Sequence, residues 1–131
     1  MYLCQELVDQ HNASYPMAGC FPFATKMSPR LKALGYREIT LTAETAIGNR
    51  NLSIRGHEFH YSELTRLAPG VQTVYQISDR SGLDKPPEGY QINQTLGSYN
   101  HLHFGSQPAV AGQFVENCRK YRRSRSFGSN S

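Results

Sequence analysis

Arg55-Gly56-His57-Glu58-Phe59-His60-Tyr61-Ser62 is the stretch on which the fold turns. Side chains alternate along a strand, so Leu52 and Ile54 share a face with Glu58 and His60, while Arg55, His57 and Phe59 point the other way. A carboxylate and an imidazole on an otherwise apolar strand face need partners, because a buried polar group left alone costs roughly 1–3 kcal/mol. The pattern therefore predicts that Glu58 and His60 pair with each other, with a neighbouring strand or with a ligand. A second run, Ser98-Tyr99-Asn100-His101-Leu102-His103-Phe104, puts Tyr99, His101 and His103 on one face and Asn100, Leu102 and Phe104 on the other. The two runs hold four of the five histidines of the chain.

Outward from these runs, Ile39, Leu41 and Ala43 alternate with polar residues and mark another strand, as does the stretch from Val71 to Ile77. Gly48-Asn49-Arg50-Asn51 is turn chemistry and joins the strand at Ile39 to the strand at Leu52 as a hairpin. Tyr90 to Asn93 and Gly97 to Phe104 supply the last strands, with the Gly- and Pro-rich stretch from Ser81 to Gly89 expected as a loop. Three helices are expected. One runs from Met1 to Gln10 with Leu3, Cys4, Leu7 and Val8 on its buried face. A short one opens at Ser28-Pro29 and closes at Gly35. The last starts at Ser106 and Pro108, with Ala111, Phe114, Cys118 and Tyr121 on its apolar stripe. The element order gives a mixed-sheet α/β domain with flanking helices.

The 131 residues make one domain or part of one. No stretch approaches the roughly 18 apolar residues of a membrane span, and no signal-peptide pattern opens the chain, so a cytoplasmic protein without membrane contact is expected. The net charge of +4 is carried by Arg119, Lys120, Arg122, Arg123 and Arg125; without them nine basic residues face ten acidic ones. Those cations suit a helix C-terminus running into a solvated tail, and a nucleic-acid partner is not expected. We divide the chain into a body of residues 1–122 and a disordered basic, Ser-rich tail of residues 123–131. Cys4, Cys20 and Cys118 have no Cys-x-x-Cys spacing and read as reduced, mostly buried thiols. Asn12, Asn51 and Asn93 head Asn-x-Ser/Thr triplets that matter only in a secreted protein.

His101 stands at the end of an apolar strand, before a Gly-Ser turn and a helix start, where α/β proteins gather their sites. Such a histidine can take a proton from a nucleophile and return it to a leaving amine, with His103 orienting it or binding the same ligand. His57, His60 and Tyr99 are the expected substrate contacts. His57-Glu58-Phe59-His60 has the wrong spacing for a helical zinc motif. His101 and His103 with His60 or Glu58 remain a metal alternative, although no metal site is assigned. No Gly-x-x-x-x-Gly-Lys-Ser/Thr loop occurs, so no nucleotide cofactor is expected on this chain.

With these residues in view, the chain resembles the C-terminal glutamine amidotransferase domain of the cobyrinic acid a,c-diamide synthase family. The resemblance runs from Met1 to about Arg119, through Met1-Tyr2-Leu3, Tyr15-Pro16-Met17, Gly35-Tyr36-Arg37-Glu38, Arg55 to Ser62 and Ser98 to Phe104. It implies a class I glutaminase fold, incomplete at its N-terminus, in which a cysteine on a strand-to-helix turn attacks glutamine. It also implies an N-terminal synthetase domain that uses ATP and Mg²⁺ to amidate the a and c carboxylates of a corrin precursor. By resemblance His101 activates the nucleophile. The family's Cys-Gly-Gly turn would precede Met1, and Cys4 lies a helical turn too far along to replace it. The fragment alone is therefore expected to be inactive. Where many class I glutaminases carry a glutamate two residues after the histidine, this chain has His103; Glu58 is the candidate to orient His101 instead. The alternative is a non-catalytic subunit or relic that binds another chain.

Overall fold

The computed structural model describes residues 1–126. Among the described residues ten strands in two sheets precede a single long helix. The smaller sheet has the order β2-β1-β3-β6, built from Cys4–Val8 (β1), Ser14–Pro16 (β2), Phe21–Met27 (β3) and Ser62–Leu64 (β6). β1 runs parallel to β3 and the other pairs are antiparallel, which makes the architecture mixed as expected. The larger sheet has the order β10-β5-β4-β7-β8-β9. Its strands are Ala33–Leu41 (β4), Ser53–His60 (β5), Gln72–Asp79 (β7), Asp84–Ile92 (β8), Thr95–Gly97 (β9) and Asn100–Leu102 (β10). A 3-10 turn at Phe104–Ser106 leads into α1, Ala109–Ser126.

The expected hairpin forms: β4 and β5 pair antiparallel from Ala33↔His60 to Thr40↔Ser53. Ile39, Leu41, Ile54, Val74, Tyr75 and Ile77 build the main core beneath this sheet, closed by Val110 from α1. Phe21 and Phe23 stack at 5.2 Å and, with Cys4 and Val71, form the core of the smaller sheet. Among the described residues no helix is long and apolar enough to cross a membrane.

Several expectations are corrected. Met1 to Gln10 holds strand β1 rather than a helix, because pairing with β2 and β3 on both sides outweighs a short stretch of helix-compatible spacing. Ser28-Pro29 opens no helix; the chain there is already bonded to β5, with Lys32 N–H donating to His60 O at 2.9 Å. Gly35 is no helix stop but a strand residue at φ 138°, and a Cβ there would lie 2.8 Å from the Arg37 guanidinium. The Ser81–Gly89 loop is the turn and first half of β8, with Pro86 and Pro87 in a bulge between the pairs Ile77↔Lys85 and Tyr75↔Glu88. Prolines are tolerated there because a bulge needs no ladder donor from them.

The last helix is where expected, but it is turned. Phe114, Cys118 and Tyr121 are exposed, while Val110 is buried and Asn117 Nδ2 donates to Ala46 O at 2.9 Å. α1 continues to Ser126, into the expected tail, and residues 127–131 lie outside the described residues. Cys4 is buried as a free thiol, but Cys20 and Cys118 are exposed. Asn12, Asn51 and Asn93, the heads of the three triplets, are the non-glycine residues with positive φ among those described. Asparagine tolerates that backbone at a turn, which gives these positions a reason independent of glycosylation.

Candidate functional site

The alternation in β5 divides the histidines between two faces of the larger sheet. Ile54 and Gly56 are buried, and Glu58 and His60 follow on their side. Opposite them, Arg55 and Phe59 are exposed and His57 is half-buried.

On the inner side the expected pairing is found. Glu58 Oε1 and His60 Nε2 lie 2.9 Å apart, and Arg37 Nε donates to Glu58 Oε2 at 2.8 Å. His60 Nδ1 lies 2.7 Å from Ser62 O, so both ring nitrogens face an oxygen acceptor. Tyr99 stacks on the His60 ring at 4.0 Å and shares a 2.9 Å hydrogen bond with Ser62 Oγ. Burial pushes the Tyr99 phenol up to about 12, with the Ser62 hydroxyl pulling against it. Gly35, opposite Glu58, leaves the space that the Arg37 guanidinium fills.

On the outer side β10 pairs antiparallel with β5, and His101 stands directly across from His57. Cross-strand partners share a face. His57 in turn meets Tyr36 edge to face at 5.3 Å, and Arg80 lies 6.0 Å from the Tyr36 ring. His57, His101 and His103 line one cleft of about 1080 Å³ together with Arg55, Arg80 and Ser106. His103 N–H donates to Arg55 O at 2.9 Å, and Ser106 Oγ donates to His103 O at 2.7 Å while accepting the Arg55 N–H at 3.0 Å. The cleft is thus pinned at its backbone and open at its rings. At its rim the Asp79 carboxyl is held below its usual range, first by Lys85 and then by the N–H groups of Leu83 and Ser81.

The sequence-based site therefore separates. His101, His103 and His57 come together. His60 and Tyr99 form a stacked pair with Glu58 on the other side, so the even alternation expected from Tyr99 to His103 is broken: β10 covers only Asn100–Leu102. Glu58 does not reach His101, since its oxygens are taken by Arg37 and His60 on the opposite face. The same division keeps Glu58 and His60 from joining His101 and His103 around a metal. Among the described residues no group of three His, Cys, Asp or Glu side chains is placed to hold one.

One buried acid escaped the sequence reading. Glu88, 6 % exposed, accepts hydrogen bonds from Ser98 Oγ at 2.7 Å, Tyr99 N–H at 2.6 Å and Asn100 Nδ2 at 3.0 Å. Its available signal was an acidic residue followed by glycine and tyrosine at a strand start, but the two prolines before it argued for a loop.

Residues 1–109 match the family model described as the CobB/CobQ-like glutamine amidotransferase domain. The chain belongs to the CobB/CobQ-like glutamine amidotransferase family. Its relatives within that family include a cobyrinate a,c-diamide synthase of Syntrophotalea carbinolica, 40% identical over 121 residues, covering 91% of this chain and 26% of that protein. One from Leptospira interrogans is 38% identical over 120 residues, covering 90% of this chain and 26% of the relative. One from Saccharolobus solfataricus is 34% identical over 106 residues, covering 81% and 24%. The chain thus spans about a quarter of the length of the curated relatives it matches. The resemblance found in the sequence alone is to this same family.

Proposed function

We propose that this chain supplies the acid/base histidine of a glutaminase that feeds ammonia to an ATP-dependent amidation of the a and c carboxylates of a corrin precursor. The observation that carries the reading is the placement of His101: exposed, across the strand pair from His57, in a cleft that His103, Arg55 and Arg80 also line. In that role the imidazole takes the proton of a thiol as its sulfur attacks the glutamine side-chain carbonyl. It returns the proton to the departing ammonia, and water then releases glutamate from the thioester.

The thiol is not one of the cysteines seen here. Cys4 belongs to the core of the smaller sheet, where burial pushes its thiol up, and neither it, Cys20 nor Cys118 lines the cleft. Met1 shares a separate cavity of about 180 Å³ with Ser98 and Tyr99. The family resemblance puts the nucleophile ahead of the residue that matches Met1. ATP and Mg²⁺ would act in a synthetase region outside these residues, since no phosphate-binding loop is present in the sequence.

A second reading, a non-catalytic subunit that completes another chain, is favoured by the large hydrophobic side chains exposed on the outer face of β4 and β5. Leu34, Tyr36 and Phe59 are all exposed there. One experiment separates the two. This chain replaces the matching segment of the Syntrophotalea carbinolica synthase, and ammonia release from glutamine is measured. Hydrolysis above that of the truncated synthase supports the catalytic reading. A folded, soluble chimera with none favours the subunit.

A further inference from the structure

We propose that Glu88 is a positioning residue, whose carboxylate clasps the two edges of the curled sheet and sets where His101 stands. β9 and β10 lie at opposite ends of the six-stranded order, yet only Ser98 and Tyr99 connect them. The sheet must curl until its edges meet, and ladder hydrogen bonds cannot hold that closure because the ladder stops at each edge. Glu88, on β8, spans it. One oxygen binds Ser98 Oγ and Asn100 Nδ2, the other the Tyr99 N–H, at 2.6–3.0 Å.

Three consecutive residues immediately ahead of His101 are thus tied to one carboxylate. β10 pairs with β5 over three residues, and His103 N–H and Ser106 Oγ hold Arg55 on the far side of His101, so the clasp is what ties the segment down on the near side. Hydrogen bonds to a charged acceptor are about twice as strong as neutral ones. A carboxyl group this far from water needs hydrogen-bond partners around it. The Tyr75 ring, 2 % exposed, covers the Gly89 backbone beside it.

The inference rests on the reading of His101 as the acid/base, so its test follows the placement of His101 rather than turnover. The 131-residue chain is compared by NMR with Glu88→Gln, which aims an NH₂ group at donors of its own kind. The expected result is displaced His101 ring resonances and Tyr99 amide exchange accelerated by about tenfold or more, with the His11 ring unmoved. Adding Asn100→Asp reverses donor and acceptor across the same contact and should restore both signals. Unchanged His101 and Tyr99 signals in folded Glu88→Gln would overturn the proposal, even if stability fell, and so would failure of the double variant to restore them. If Glu88→Gln does not fold, Ser98→Ala removes a single donor; a displaced His101 signal supports the clasp and an unmoved one overturns it. Glutamine hydrolysis that survives His101→Ala would refute the catalytic reading and leave the clasp standing.

Discussion

Glu58→Ala should destabilise the protein far more than Glu63→Ala, although both acids sit in ion pairs of nearly the same length. Lys32–Glu63 is 2.9 Å long with side chains 34% and 55% exposed; Arg37–Glu58 is 2.8 Å with 10% and 16%. Removing the exposed acid costs under about 1 kcal/mol, because water already screens the pair. Removing Glu58 leaves a guanidinium with little water and strips His60 of one partner, in the range of roughly 3–5 kcal/mol for breaking a buried pair. Arg37 keeps its bonds to Tyr36 O and Leu34 O, which places the estimate at the lower end, about 3 kcal/mol. With a urea dependence of about 1.5 kcal/mol per molar, the midpoint should fall by about 2 M. The chain has no tryptophan, so unfolding is followed by tyrosine fluorescence and far-UV circular dichroism. Equal midpoint shifts for the two variants would refute the argument that burial, not distance, sets the worth of these pairs.

Other outcomes follow from the same geometry. Gly89→Ala should cost about 3 kcal/mol or more, since φ is 71° and the new methyl would lie 2.3 Å from the buried Tyr75 ring; thermal denaturation checks it, and an unchanged midpoint contradicts it. Tyr99, pushed up to about 12, and Tyr75 and Tyr90, pushed up by burial, should ionise after the other tyrosines in an alkaline absorbance titration. A phenol raised on folding keeps its proton longer in the native state, so stability should fall as pH rises above the ordinary tyrosine value near 10 and go on falling through the folded one. Asp79 is lowered on folding, so its contribution is present above the ordinary carboxylate value and is lost as pH falls through the folded one. Asp79→Asn should therefore flatten the acid limb of a Tm–pH curve; an unchanged limb would show that the Lys85 contact is not felt.

What was legible in the sequence follows from how far each signal travels. The two faces of β5 were legible because alternation is a property of the strand itself, and the need of Glu58 and His60 for partners followed from the cost of burying both, though not which partners they would take. The β4–β5 hairpin was legible from its turn residues. β1 was not, because the spacing of Leu3, Cys4, Leu7 and Val8 suits a helix, and only pairing with distant strands makes it extended. Gly35 looked like a helix stop because its use, making room for Arg37, is a contact with β5 that no local pattern records. Glu88 was missed for the same reason: it binds residues on the far edge of the sheet, and the prolines before it masked the strand. The sequence run around His101 located the cleft, but not that Glu58 would face away from it.

The central claim is that His101 is the proton carrier of a glutaminase, and the most direct test is glutamine turnover in the chimera with the Syntrophotalea carbinolica synthase, comparing His101→Ala with His103→Ala and the parent. General acid–base catalysis contributes roughly 10²–10⁴-fold, so His101→Ala should lose that much in kcat with the fold intact, and His103→Ala, beyond the end of β10, should lose less. Turnover that survives His101→Ala within a few-fold of the parent would contradict the account.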